Sequence, residues 1–106
     1  ILSNTKGELC EGSMSNVFFV KDGKICTPAL ECGCLPGTVR EAFLEIGEVQ
    51  EGRWPIEVLN EAEEIWLTSS TRLVSWVSHY GERDLGERSQ LFQKSREALI
   101  RHIGAF

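Results

Sequence analysis

The sequence predicts one α/β domain, a twisted, partly closed sheet of antiparallel and mixed strands with two flanking helices. Three observations point there. Short runs of β-branched and aromatic residues separated by turn signals fill the first third of the chain, an apolar pattern at helical spacing follows, and further strand-like runs lead into a closing helix. A length of 106 residues suits a single compact core.

The elements follow in order. Asn4 to Gly7 reads as a turn, Glu8-Leu9-Cys10 as a strand, and Val17 to Val20 as a second strand. Asp22-Gly23 is a strong hairpin signal because both residues tolerate the positive φ of a tight turn. Lys24 to Thr27 then returns as a strand that stops at Pro28, which has no N–H for the ladder. Two successive hairpins are expected. Val39, Ala42, Phe43 and Ile46 stand at i, i+3, i+4 and i+7, one face of a helix. Thr38 is placed to be its N-cap, Glu41 completes a capping box, and Gly47 is the stop. Trp54-Pro55-Ile56 reads as the opening of a brief strand or an extended segment, and Glu57 to Ala62 as a short acidic helix. Ile65 to Leu67 is a strand ending in the polar cluster Thr68-Ser69-Ser70-Thr71, and Leu73 to Tyr80 is another. Gly81 to Gly86 is a charged loop, and a last helix runs from about Ser89 to Ile103 with Phe92, Leu99 and Ile103 on its buried side.

Composition narrows the function. The chain is 42% hydrophobic and 25% charged, as expected of a globular domain. No apolar run approaches the roughly 20 residues that span a bilayer, so no membrane partner is expected. A net charge of −5 with scattered Lys and Arg argues against a nucleic-acid partner. Cys10, Cys26, Cys32 and Cys34 lack metal-ligand spacing, and His79 and His102 stand alone, so no metal site is expected. Reduced, structural cysteines fit a cytoplasmic protein. The chain opens with Ile1-Leu2 and no initiator Met, as if mid-strand, from which an upstream portion is expected to be missing.

Three polar loops carry candidate chemistry: Glu11 to Asn16, Leu35 to Arg40, and Thr68 to Thr71. Each by itself could be an ordinary turn, helix cap or strand end. In order, however, the chain reads Asn-x-x-Gly-x-x-x-Glu-Gly (Asn4 to Gly12), Ser-Asn-Val-Phe-x-Val-Lys-Asp-Gly (Ser15 to Gly23), Thr27-Pro28, Leu-x-Gly-x-x-Arg (Leu35 to Arg40) and Ala-x-Glu-x-x-x-Thr-Ser-Ser (Ala62 to Ser70). This succession resembles the fold-type-IV pyridoxal-phosphate enzymes, the class IV aminotransferase and aminodeoxychorismate lyase family.

The resemblance implies the larger C-terminal domain of such an enzyme, with a twisted pseudo-barrel sheet and flanking helices, binding pyridoxal 5'-phosphate. Glu11 matches the carboxylate that keeps the pyridine nitrogen protonated, the state in which the ring best accepts electrons. Gly37, Thr38 and Val39 match the helix start that holds the phosphate, where free backbone N–H groups and the helix dipole favour an anion. Val39 departs from the frequent hydroxyl residue at its position, which shifts weight to Thr38 and backbone groups. Ser69 and Ser70 match a second phosphate-binding turn, and Leu35 the apolar residue against the ring. Arg72 is a candidate for the substrate carboxylate or else a solvated surface arginine, and Asn16 is a candidate for support of the loop backbone. Trp54, Trp66 and Trp76 read most simply as core or interface aromatics.

The family's Schiff-base lysine lies upstream of the position matching Glu11. Lys6, Lys21, Lys24 and Lys94 fall at turns or on the last helix and match none of it. The resemblance therefore implies a parent enzyme, a homodimer acting by transamination or elimination on an amino-acid or aminodeoxychorismate-type substrate. This chain by itself would be inactive, without its N-terminal domain and catalytic lysine. The other reading is a non-catalytic binding or assembly module that retains the fold.

Overall fold

In a computed structural model, which describes residues 2–3, 7, 9–12, 15–30, 37–47, 49–69 and 73–103, the chain forms a seven-stranded mixed sheet, a two-stranded ribbon and two α-helices. The strands are β1 (Leu2–Ser3), β2 (Leu9–Gly12), β3 (Ser15–Lys21), β4 (Lys24–Pro28), β5 (Val49–Gly52), β6 (Glu64–Ser69), β7 (Leu73–Trp76), β8 (His79–Tyr80) and β9 (Arg83–Asp84). The helices are α1 (Thr38–Ile46) and α2 (Gln90–Ile103), with a 3-10 helix at Ile56–Asn60.

The centre is β3. Its first residues pair with β2 and its last with β4 along one edge, while β6 runs antiparallel along the other from Asn16↔Thr68 to Val20↔Glu64. Val17, Phe18, Phe19 and Val20 are all buried because both faces of the sheet are covered. On one face, Phe18 and Val20 join Trp66 beneath α1 and α2, with the Phe18 and Phe43 rings 5.0 Å apart and Trp66 and Phe92 5.4 Å apart edge to face. On the other, Val17 and Phe19 join Ile65, Val58, Leu59 and Ala62 around the 3-10 helix.

The Asp22-Gly23 turn is as read, with φ of 54° and 75°, and it sets Lys21 opposite Lys24. After β4 the chain crosses through α1 and returns as β5, parallel to β4 from Ile25↔Val49 to Pro28↔Gly52. Arg40 locks this crossover. Its guanidinium, 1% exposed, donates to the Pro28 carbonyl (3.0 Å), Glu51 (2.7 Å) and Glu41 (2.9 Å). A second arginine, Arg83, donates to the carbonyls of Leu59, Asn60 and Ala62 and so closes the end of the 3-10 helix.

Four expectations need correction. The N-cap of α1 is Gly37 rather than Thr38, with no side-chain cap bond, and Glu41 pairs with Arg40 instead of completing a capping box. A strand lies before Trp54, at Val49–Gly52, where an edge strand paired with β4 needs no apolar alternation, whereas Pro55 is extended and Ile56 already begins the 3-10 helix. Leu73 to Tyr80 is two strands, because β7 leaves β6 after Trp76 and the chain turns into the β8–β9 ribbon. Ile103, expected to be buried, is 38% exposed in the last turn of α2, whereas Phe92 and Leu99 are in the core. Ser89 caps α2, accepting from the Phe92 amide (3.0 Å) while donating to Glu64 (2.8 Å).

Two outcomes follow from the packing. Phe18→Ala removes a fully buried ring under α1 and should lower unfolding stability by about 3–5 kcal/mol in urea titration. Burial pushes the Cys26 thiol up from its ordinary value, and the thiol donates to the Lys24 carbonyl at 3.6 Å. Its contribution to stability is present below the ordinary thiol value and is lost as pH rises through the raised native value. Urea midpoints should therefore fall with alkaline pH more steeply in wild type than in Cys26→Ala, and at neutral pH iodoacetamide should label Cys26 only on unfolding.

Candidate functional site

The two hydrophobic faces give way to polar residues at one end of the sheet. There Glu11 of β2, Asn16 of β3 and Thr68 of β6 stand in one row of the ladder, each the direct partner of the next. The adjoining row contains the Gly12↔Ser15 pair on β2 and β3 and Ser69 of β6, which faces Leu73. Asn16 and Thr68 are buried, 5% and 1% exposed.

The start of α1 comes down on this end. A β-carbon built on Gly37 would collide with the side-chain oxygen of Asn16, so only glycine lets the helix approach the strand so closely. The first intrahelical bond runs from the Glu41 amide to the Gly37 carbonyl (3.0 Å). The amides of Thr38, Val39 and Arg40 thus precede the ladder and have no carbonyl within the helix. The side chain of Val39 is 5% exposed and packs in the core, so Val39 can serve an anion only through its backbone.

Of the residues singled out from sequence, Glu11, Gly37, Thr38, Val39 and Ser69 are brought to this one end; Leu35, Ser70 and Arg72 lie outside the described residues. Leu73, which begins β7, has φ of 60°, a left-handed conformation that costs a leucine about 1–2 kcal/mol. Such strain is typically tolerated where a turn is held in a set shape for a purpose.

Two features were not read from the sequence. One is the contact of Asn16 with Gly37, which joins residues 21 positions apart through a crossover that the spacing does not display. The other is the hydroxyl of Thr68, buried and without a hydrogen-bond partner among the described residues. A buried unpaired hydroxyl costs about 1–3 kcal/mol. Together with helix amides that precede the first intrahelical bond and a glycine that leaves room, it makes this end of the sheet suited to an anion with several acceptor oxygens. Among the described residues there is no group of three or more His, Cys, Asp or Glu placed to hold a metal ion.

This geometry agrees with what the chain is similar to. Residues 1–80 match the family described as amino-transferase class IV. A probable branched-chain-amino-acid aminotransferase from Thermotoga maritima is 38% identical over 92 residues, covering 82% of this chain and 34% of the relative. An aminodeoxychorismate lyase from Bacillus subtilis is 36% identical over 88 residues, covering 78% of this chain and 30% of the relative. The crystal structure of a putative branched-chain amino acid aminotransferase from Thermotoga maritima superposes with a TM-score of 0.92 at 32% identity over 100% of this chain and 41% of that one. That of an aminotransferase from Brucella abortus bound to the co-factor PLP gives 0.85 at 28% identity over 95% and 38%. The chain spans about a third of the length of these curated relatives. With a matched segment that includes both β2–β3 and the start of α1, the chain belongs to the class IV aminotransferase family.

Proposed function

We propose that these residues are the pyridoxal 5'-phosphate-binding C-terminal domain of an aminotransferase or aminodeoxychorismate lyase that acts on an amino-acid-like substrate as a homodimer. The observation that carries this reading is the convergence of Glu11, Asn16, Thr68 and Ser69 with the start of α1 at one end of the sheet.

Each residue has a task. The phosphate would be held at the start of α1 by the amides of Thr38 and Val39, with Gly37 leaving room for it and Ser69, at the end of β6, and Ser70 adding donors. Glu11 holds a proton on the pyridine nitrogen, and the ring thereby withdraws electrons from the substrate's Cα–H bond when the cofactor is bound. Leu35 packs on the ring, and Arg72 faces the substrate carboxylate. Removing the Cα proton is the work of a lysine, together with the remaining pocket, contributed by the rest of the protein. On this reading the 106 residues alone do not turn over substrate.

The first test is intact mass with and without borohydride reduction. The full enzyme should gain one pyridoxyl phosphate, and the 106-residue chain none; a full-length protein that gains nothing would sink the proposal and leave a binding or assembly module. Within the full enzyme, Glu11→Gln should retain the cofactor and lower kcat by about a hundredfold or more, read in a coupled assay. Gly37→Ala should weaken cofactor binding by about tenfold and cost about 1–3 kcal/mol of stability as Asn16 is pushed aside.

A further inference from the structure

Among the described residues, two threonines are fully buried, with opposite fates. Thr27, 1% exposed, donates its hydroxyl to the Val17 carbonyl at 2.8 Å. Thr68 is equally buried, yet its hydroxyl has no partner among the described residues. Buried hydroxyls are nearly always paired, so an exception inside a strand calls for a reason. The backbone of Thr68 is flanked by the ladders to β3 and β7, with Asn16 and Val74 as its direct partners.

The position of that hydroxyl is fixed by the pleat. Thr68 stands two residues beyond Trp66 on β6 and therefore points to the same face, where Trp66 packs against Phe43 of α1 with ring centroids 6.3 Å apart. Asn16 stands likewise two residues before Phe18 on β3, and its side-chain oxygen lies against Gly37. Directly opposed side chains in a sheet are roughly 5 Å apart at their β-carbons. The Thr68 hydroxyl thus lies on the helix face, one side chain from the start of a nine-residue helix whose N-cap makes no side-chain bond.

From this unpaired hydroxyl and the helix start beside it we infer that Thr68 is a further phosphate-binding residue, its hydroxyl donating to an oxygen of the phosphate monoester held by the first amides of α1. This rests on the reading of the site given above and adds to it a donor from inside β6, next to Ser69. A strand residue is held more rigidly than a turn, so the hydroxyl is set in place before the ligand arrives.

The test uses the full-length apoenzyme as wild type, Thr68→Val and Thr68→Ser, titrated with pyridoxal 5'-phosphate and with pyridoxal, alongside thermal unfolding without ligand. Thr68→Val should bind pyridoxal 5'-phosphate about tenfold more weakly with pyridoxal affinity unchanged. Thr68→Ser should retain the wild-type preference for the phosphorylated form. Without ligand, Thr68→Val should melt no lower than wild type, because no protein hydrogen bond is lost. Equal weakening toward both ligands, or none, would overturn the assignment, as would a Thr68→Val apoenzyme that unfolds early or fails to fold, which would show a partner for the hydroxyl within the protein. A wild-type protein that does not bind pyridoxal 5'-phosphate would remove the underlying reading and this inference with it.

Discussion

Four consecutive residues, Val17 to Val20, are buried on both faces of the sheet, and most of the remaining structure is arranged to bury them. Each such side chain contributes about 1.5–3 kcal/mol when taken out of water. A strand with apolar residues on both sides needs a layer above and a layer below. Here α1 and α2 form one, and the 3-10 helix with the β8–β9 ribbon the other. The strand also needs partners along both edges, which β2 and β4 supply on one side and β6 on the other. Registering β6 against β3 so that Trp66 meets Phe18 leaves no freedom in what comes next: Thr68 meets Asn16.

The candidate site is the place where this double burial ends. At the first residues of β3 the apolar run gives way to Ser15 and Asn16, and at the last residues of β6 to Thr68 and Ser69. The same register that builds the core therefore collects the polar residues in one row. Helix α1 completes the arrangement because Val39, Ala42 and Phe43 bury one face on Phe18 and Trp66, which brings the helix start down on Asn16. Arg40 holds that placement through the Pro28 carbonyl and Glu51, tying the helix to both strands of the parallel pair. Core packing and the proposed anion site are thus set by one geometry, so a change in either is felt in the other.

The architecture also separates what this domain can do from what it needs supplied. In the proposed reading, a helix start, a strand-end carboxylate and strand-end hydroxyls bind and polarise a ligand; they do not move a proton at carbon. The relatives are about three times as long as the matched segment, which covers 34% of one and 30% of another. In the proposed division of labour, this portion fixes the cofactor and the remainder brings the lysine and the second half of the pocket.

The sequence by itself determined the elements whose signals are local. The Asp22-Gly23 turn, the apolar run of β3, the helical face of Val39, Ala42, Phe43 and Ile46, and the stop at Gly47 all depend on neighbours a few residues away, and all are where the residues put them. The order of the motifs likewise carried the family, because a succession of short patterns survives without knowledge of contacts. Strand β5 was not legible, since its only partner, β4, is more than twenty positions earlier and its Gln50 and Glu51 face water. The cap of α1 was misjudged because Gly37 is chosen by the space that Asn16 leaves rather than by capping chemistry. The unpaired hydroxyl of Thr68 is likewise invisible in one dimension: whether a threonine is satisfied, as Thr27 is, or left waiting depends on which carbonyl the register sets beside it. Only the tertiary structure decided that, because register is fixed by burial across strands and not by the residues next in the chain.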